Sequence, residues 1–472
     1  MTFTRRAVLQ FTSAAALAAC TPALHKSHDA DVIIIGAGLS GLHAARMLAE
    51  DGVRVLVIEG AERAGGRILT LDDVPGSPEA GGQQVGQGYA RIRKTAIDLG
   101  LAILPYPAAP RDTAYSVGGR TMSSADWTTA KENPLPGPLR SLAPSTAMMA
   151  AAARSNPFKD EGGWRNVDPG DDISGEAWLT AEGFSPEARH LMDIGLNGIS
   201  LDTYSMANLW RTLFIYGTER SLGAPERIEG GSSRLTEAMA ASLEDGSLRL
   251  KTKVKAIIDD GSRVEVRTDN GSLYAPFVIC SLPFAAIRDR VEIKGPISDP
   301  HLEARNAAIM GLPYTPIQQI HLLPENRFWE QDGLPLDMWT DGSIERVFGN
   351  LDDSGEVTSL TCWVNGLGIH KDWDDAAWFA KAAADLEQMR GAKVRGARVV
   401  RWDSSQPLSG GAYMHWAPGQ IKAWAKTMAL PSGRIHFAGE HTSFLHTGME
   451  GAMESGERAA IEIFERIDSQ PA

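Results

Sequence analysis

The sequence predicts an α/β protein: a Rossmann-like dinucleotide-binding domain joined to a second domain of α+β character. Three observations carry this. Residues 31–59 read as strand, glycine turn, helix, strand and acid. Strand-like runs return after residue 248 with hairpin signals between them. Between these blocks, residues 103–217 lose the alternation of strands and carry proline-rich turns.

In the first block, Val32 to Ile35 is an unbroken β-branched run, as expected of a strand buried on both faces. Gly36, Gly38 and Gly41 follow at GxGxxG spacing. Gly36 makes the tight turn, Gly38 lets the backbone approach a pyrophosphate, and Gly41 allows close helix packing. An amphipathic helix over 42–50 offers its free N–H groups and partial positive charge to phosphates. A second apolar strand over 53–58 ends at Glu59, where a carboxylate can bond a ribose hydroxyl.

At 472 residues the chain has room for about two to four domains. A net charge of −13 without a basic patch argues against nucleic-acid binding. The three cysteines, Cys20, Cys280 and Cys362, have neither metal-ligand spacing nor a disulfide framework, so no metal site is expected. Residues 1–20 carry a twin arginine, Arg5-Arg6, before an alanine-rich stretch too short and weak to span a membrane. This segment resembles a twin-arginine export signal, and Leu17-Ala18-Ala19-Cys20 resembles a lipobox. The expected location is periplasmic, either free or anchored through a lipidated Cys20; residues 21–30 read as a linker.

In the middle of the chain, helices are expected over 174–183, with Ser174 as N-cap, and over 186–195. Trp127, Trp164, Trp178 and Trp210 are read as core. Gly230-Gly231 opens a helix over 234–243. Strands follow over 248–258, 263–268 and 277–282, with Asp260-Gly261 and Asn270-Gly271 as hairpin turns. A further strand covers 398–402. Residues 435–438 form another, followed by Gly439-Glu440 and a helix starting near Met449.

After Glu59 come Arg63, Gly65, Gly66 and Arg67, then PEAGGQQVG over 78–86. GxGxxG, an acid, RxGGR and GGQ in this order resemble the flavin amine oxidase family, which includes monoamine, polyamine and L-amino-acid oxidases. SGGAYMHWAPGQ over 409–420 and RIHFAGEHTSFLHTGMEGAMESGERAA over 434–460 extend the resemblance. It implies FAD, held by a Rossmann-like domain built from discontinuous segments (31–102, 218–290 and 396–472), with an α+β substrate-binding domain from 103–217 and 291–395. It assigns cofactor contacts to Gly36, Gly38, Ser40, Gly41, Glu59, Gly66, Arg67, Gly82, Gln83, Gln84, Val254, Gly439, Glu440 and Met449. A cysteine binds the flavin covalently in some members; Ala412 at that position implies non-covalent FAD. Tyr413 matches the first aromatic of the family's substrate cage, while the second falls at Gly448 and leaves that side open. A lysine linked in the family to reaction with oxygen corresponds by spacing to Gln319 here, with Gln318 as the alternative.

The implied activity is oxidation of a primary or secondary amine to an imine by hydride transfer to the flavin, with oxygen as acceptor. Alternatives are a dehydrogenase or desaturase-like enzyme using a periplasmic electron carrier, an L-amino-acid oxidase, or a tryptophan 2-monooxygenase-like enzyme. A non-catalytic FAD-binding protein is the remaining reading. An amino-acid substrate needs a cation for its carboxylate, and Arg91 and Arg93 are candidates for it, although solvent-facing helix arginines are the simpler reading.

Overall fold

The structure is a computed structural model, and it describes residues 28–106, 112–296 and 298–469. The export segment and Cys20 lie outside the described residues. Among the described residues no helix is long and apolar enough to cross a membrane.

The glycine-rich unit forms at the centre of a five-stranded parallel sheet. Strand Val32–Ile35 pairs with Val55–Ile58 on one side and Phe277–Cys280 on the other. Ile435–Phe437 and Leu248–Arg249 complete the edges. All four residues of the central strand are buried, and they alternate between two cores. Ile33 and Ile35 face one with Val278 and Cys280, whereas Val32 and Ile34 face the other with Leu42 and Leu48. This is why the strand reads as continuously apolar.

Helix Leu39–Glu50 starts earlier than the sequence pattern suggests, because the two small residues Ser40 and Gly41 already have helical backbone. It packs against the last helix, Gly448–Asp468. A Cβ at Gly456 would lie 2.2 Å from the Ser40 carbonyl oxygen, so only glycine allows this crossing.

The two hairpins expected at Asp260-Gly261 and Asn270-Gly271 build a four-stranded sheet with strand order Gly271–Ala275, Val264–Thr268, Val254–Asp259, Glu292–Lys294. The strand expected over 248–258 is broken. Leu248–Arg249 joins the parallel sheet and Val254–Asp259 the other, with Lys251 between them at φ 52°.

The third sheet has seven strands: Val394–Trp402, Ile317–Pro324, Val357–Asn365, Arg346–Leu351, Asp337–Thr340, Thr113–Val117 and Arg120–Met122. Strand Val394–Trp402, read from sequence as opening the last cofactor segment, therefore belongs to this sheet. Above it sit the helices of the middle segment. Ser174 caps Gly175–Ala181 through the Ala177 N–H, and Pro186–Asp193 follows. Trp127, Trp178 and Trp210 fill one core there, and Trp164 sits in another beside Trp416. One row of residues runs straight across the seven strands: Val400, Gln319, Trp363, Arg346, Trp339, Tyr115 and Met122. Directly paired residues share a face, so this row projects to one side.

Candidate active site

A continuous cavity of about 910 Å³ opens outside the carboxyl ends of the parallel strands and runs to the seven-stranded sheet. At one end it is walled by Gly36, Gly38, Ser40, Glu59, Gly66 and Arg67; at the other by Gln319, Trp363 and Tyr413. Ligands in open α/β sheets bind in this crevice.

At the first end, Gly36 adopts φ 103° to make the turn. A Cβ on Gly41 would lie 2.0 Å from the Gly36 carbonyl oxygen, so Gly41 serves helix–strand packing and is not part of the cavity wall. Gly38 differs: a Cβ there meets nothing within 4 Å and would project into open space. Both helices that start at the cavity lack a side-chain cap, which leaves N–H groups free to face a ligand. The Glu59 carboxylate accepts the N–H groups of Ala37 and Ala61, each at 2.8 Å, and so ties the glycine turn to the end of its own strand.

At the middle, Arg67 donates to the Ala412 carbonyl at 2.9 Å and to Glu440 at 3.0 Å. Glu440 also accepts the Met414 N–H at 3.1 Å. Gly82 packs against Met449, where a Cβ would come within 2.8 Å of the thioether. Val254, Gly82, Glu440 and Met449 all line the cavity. Gly439 lies behind the wall, at φ 124°, donating its N–H to Ser455 at 2.8 Å. Gln83 and Gln84 are exposed and lie off the wall, because the chain turns outward after Gly82 toward its bridge at Val85.

The loop before helix Gly448–Asp468 is pinned by Glu454. Burial opposes ionisation there, but the His446 imidazole and the N–H groups of Leu445, Phe444 and His446 outweigh it and hold the carboxyl at about 2. Arg211 binds the same loop, donating to the His446 carbonyl at 2.9 Å. Gly448 lines the cavity and a Cβ there meets nothing within 4 Å, so the wall is open at this position.

At the far end, Tyr413 pairs with Thr315 in a short ribbon, and burial raises its phenol well above the ordinary value, so it stays neutral. The Gln319 Oε1 accepts from His321 Nε2 at 3.2 Å, and His321 Nδ1 lies 3.1 Å from the Thr361 hydroxyl. Thr361 in turn accepts from Asn350 at 2.9 Å. Because the Gln319 oxygen can only accept, the neutral His321 ring carries its hydrogen on Nε2, and Nδ1 accepts the Thr361 hydroxyl hydrogen. The Gln319 amide NH₂ is then the group offered to the cavity.

Other candidates from the sequence resolve differently. Arg91 is held by Glu450 and Glu457, and Arg93 by Glu226, so both are spent within the protein. The histidines near this region are also engaged by the protein: His415 bonds Thr315 and stacks on Tyr204, His436 is buried in its strand against Glu462, and His446 pairs with Glu454. No group of metal-ligating side chains is present among the described residues. Trp363 and Arg346 were not singled out by sequence. Their positions follow from strand register, which the TCWVN and ERVFG segments do not reveal on their own.

The residues fit a flavin dinucleotide. A glycine turn with one open face, an anchored carboxylate, two uncapped helix starts and a long cavity leading to aromatic side chains define a dinucleotide-dependent oxidoreductase. Comparison with known proteins agrees. The chain belongs to the flavin containing amine oxidoreductase family, whose model matches residues 39–464. It is 25% identical to amine oxidase [flavin-containing] B of Sus scrofa over 475 aligned positions, covering 94% of this chain and 88% of that one. It is 26% identical to amine oxidase [flavin-containing] A of Bos taurus, covering 94% and 87%. In fold it is similar to cyclohexylamine oxidase from Brevibacterium oxydans IH-35A, with TM-score 0.77, 21% identity and 93% and 100% of the two chains covered. It also resembles putrescine oxidase bound to putrescine, with TM-score 0.71, 21% identity and 93% and 99% covered.

Proposed function

We propose that this enzyme holds FAD without a covalent bond and oxidises a primary or secondary amine to an imine, which water then hydrolyses, with oxygen as electron acceptor. The observation that carries this reading is the single cavity joining the dinucleotide cradle to Gln319, Trp363 and Tyr413. FAD, when bound, supplies the two-electron acceptor. Gly36, Gly38 and Ser40 would receive the pyrophosphate, Glu59 the ribose, and the start of helix Gly448–Asp468 the ring edge that becomes negative. Non-covalent binding is supported by Ala412 on the wall and by the burial of Cys280 and Cys362 away from it. Trp363 and Tyr413 would sandwich the substrate and exclude water. Because Gln319, Trp363 and Tyr413 are all neutral, the amine would have to enter without its extra proton. The amines named for the relatives, putrescine and cyclohexylamine, mark the chemical class.

A second reading has one observation in its favour. Gln319 presents an uncharged amide where a lysine is usual, which suits transfer of electrons to a periplasmic carrier in place of oxygen. Export by the twin-arginine route, with a free or Cys20-anchored mature protein, belongs to the same proposal and rests on residues 1–20 of the sequence.

The test is anaerobic mixing of FAD-loaded protein with amines while the flavin absorbance is followed, then admission of air. Bleaching with prompt recovery supports the oxidase. Bleaching without recovery selects the dehydrogenase. A flavin that no amine bleaches overturns the proposal.

A further inference from the structure

Arg346 stands in the row that crosses the seven-stranded sheet. It lies opposite Trp363 on one neighbouring strand and Trp339 on the other. Trp363 lies opposite Gln319, and both line the cavity. With strands about 4.8 Å apart, the Arg346 backbone is about 10 Å from that of Gln319 along the same face. Its guanidinium carbon lies 5.7 Å from the centre of the Trp363 ring.

Arg346 lies behind the wall residues Gln319, Trp363 and Tyr413; its guanidinium meets the Trp363 ring and the field of Glu345, but it makes no ion pair among the described residues. Its Nε and Nη2 are buried, and neither has a hydrogen-bond partner among the described residues. The neighbouring carboxylate, Glu345, is turned elsewhere and accepts the Asn365 N–H at 3.0 Å. Burial pushes the Glu345 carboxyl up to about 7, which weakens it further as a counter-charge. Burial also lowers the Arg346 value, with Glu345 and Tyr413 opposing. The group is held in place: Glu345 before it sits at φ 44°, and a Cβ on Gly195 would come within 3.3 Å of Nε. A guanidinium with two buried, unbonded nitrogens and no carboxylate within hydrogen-bond reach is costly, and a bound anion would reduce that cost.

We propose that Arg346 receives a carboxylate of the substrate, so that the amine oxidised at this site also carries an acidic group. This rests on the amine-oxidation reading for the reacting end and assigns the other end. A small amino acid lying over Trp363 would place its amine-bearing carbon toward Gln319 and its carboxylate on the guanidinium. Arginine suits this because its planar fork matches two carboxylate oxygens.

The experiment uses the FAD-loaded enzyme and matched pairs: 4-aminobutyrate against butylamine, and phenylalanine against 2-phenylethylamine. Flavin reduction is measured without oxygen. In parallel, butyrate and butyramide are titrated while perturbation of the flavin spectrum is followed. A charge-assisted contact is worth about tenfold to a hundredfold in affinity. At least one carboxylate-bearing member should therefore exceed its neutral partner by about tenfold or more, and butyrate should bind where butyramide does not. Both preferences should collapse in Arg346→Gln and persist in part in Arg346→Lys. Equal or better reduction by both neutral amines, or butyrate binding that is unchanged in Arg346→Gln, overturns the proposal. Should no substrate reduce the flavin, the amine reading fails, while the butyrate titration still decides the role of Arg346. Should Arg346→Gln not fold, the wild-type comparison of butyrate with butyramide decides it.

Discussion

Gln319 shows how one side chain can be aimed by three others. Asn350, Thr361 and His321 pass hydrogen bonds along one direction and end on its carbonyl oxygen. His321 is neutral, since burial lowers its value to about 4. The amide that remains carries no charge. An ammonium at this place would stabilise negative charge developing on oxygen as it is reduced. Gln319→Lys is therefore expected to speed reoxidation by air about tenfold or more, which corresponds to about 1.4 kcal/mol of transition-state stabilisation. Stopped-flow mixing of the reduced enzyme with oxygen measures it, and an unchanged rate would remove Gln319 from the account of oxygen reactivity. At this scale the sequence placed Glu59, Gly38 and Tyr413, marked by local turns and motifs, on what is the cavity wall. It was not legible at Trp363 and Arg346. Whether a residue of an all-buried strand faces the cavity depends on register with two other strands, and that information is non-local.

Among the elements, the turn into helix Leu39–Glu50 holds two glycines with opposite duties, and substitution separates them. Gly38 has φ −82°, a conformation open to any residue, and its missing Cβ faces the cavity. Gly38→Ala should leave the flavin-free protein as stable as before and weaken FAD binding, because the methyl would occupy the space a pyrophosphate needs. Gly41 has its missing Cβ against the Gly36 carbonyl. Gly41→Ala should lift the helix from the sheet and cost about 1–3 kcal/mol of stability even without flavin. Urea unfolding of the flavin-free forms and flavin titration distinguish the two; equal loss of stability in both variants would refute the division. The strand–helix–strand unit and both hairpins were readable because each is a local pattern. The break between Leu248–Arg249 and Val254–Asp259 was not, since it is imposed by two sheets that compete for one apolar run. For the same reason Val394–Trp402 joined the seven-stranded sheet, where Ile317–Pro324 needs a partner on its free edge.

The whole molecule should be acid-labile in a defined way, because its buried titratable groups carry shifts of opposite sign. His321 and His415 are 0% and 1% exposed, and burial lowers them to about 4 and about 3. In the unfolded chain each titrates near 6.5. Below that pH the unfolded state binds more protons than the folded state. The stability tied to the neutral rings is complete above about 6.5 and falls by about 1.4 kcal/mol per pH unit for each ring, roughly 3 kcal/mol each by pH 4. Glu345 works the other way: its carboxyl is raised to about 7, so its contribution is complete below about 4.5 and is lost as pH rises through 7. Burial acts likewise on His43, lowered to about 4, and on Glu79, raised to about 7, so between pH 6.5 and 4.5 two carboxyls offset two of these three rings. Below 4.5 that offset ends, and Glu454, held at about 2 chiefly by His446 and backbone N–H groups against its burial, begins to lose its own contribution. The melting temperature of the FAD-loaded enzyme should therefore decline gently from pH 6.5 to 4.5 and steeply below. His321→Gln, which keeps a polar side chain but cannot take up the proton, should flatten the upper part of that curve. A melting temperature that holds constant from pH 6.5 to 4 would mean that these imidazoles are solvated when folded, and the packing of Gln319 against His321 would have to be redrawn.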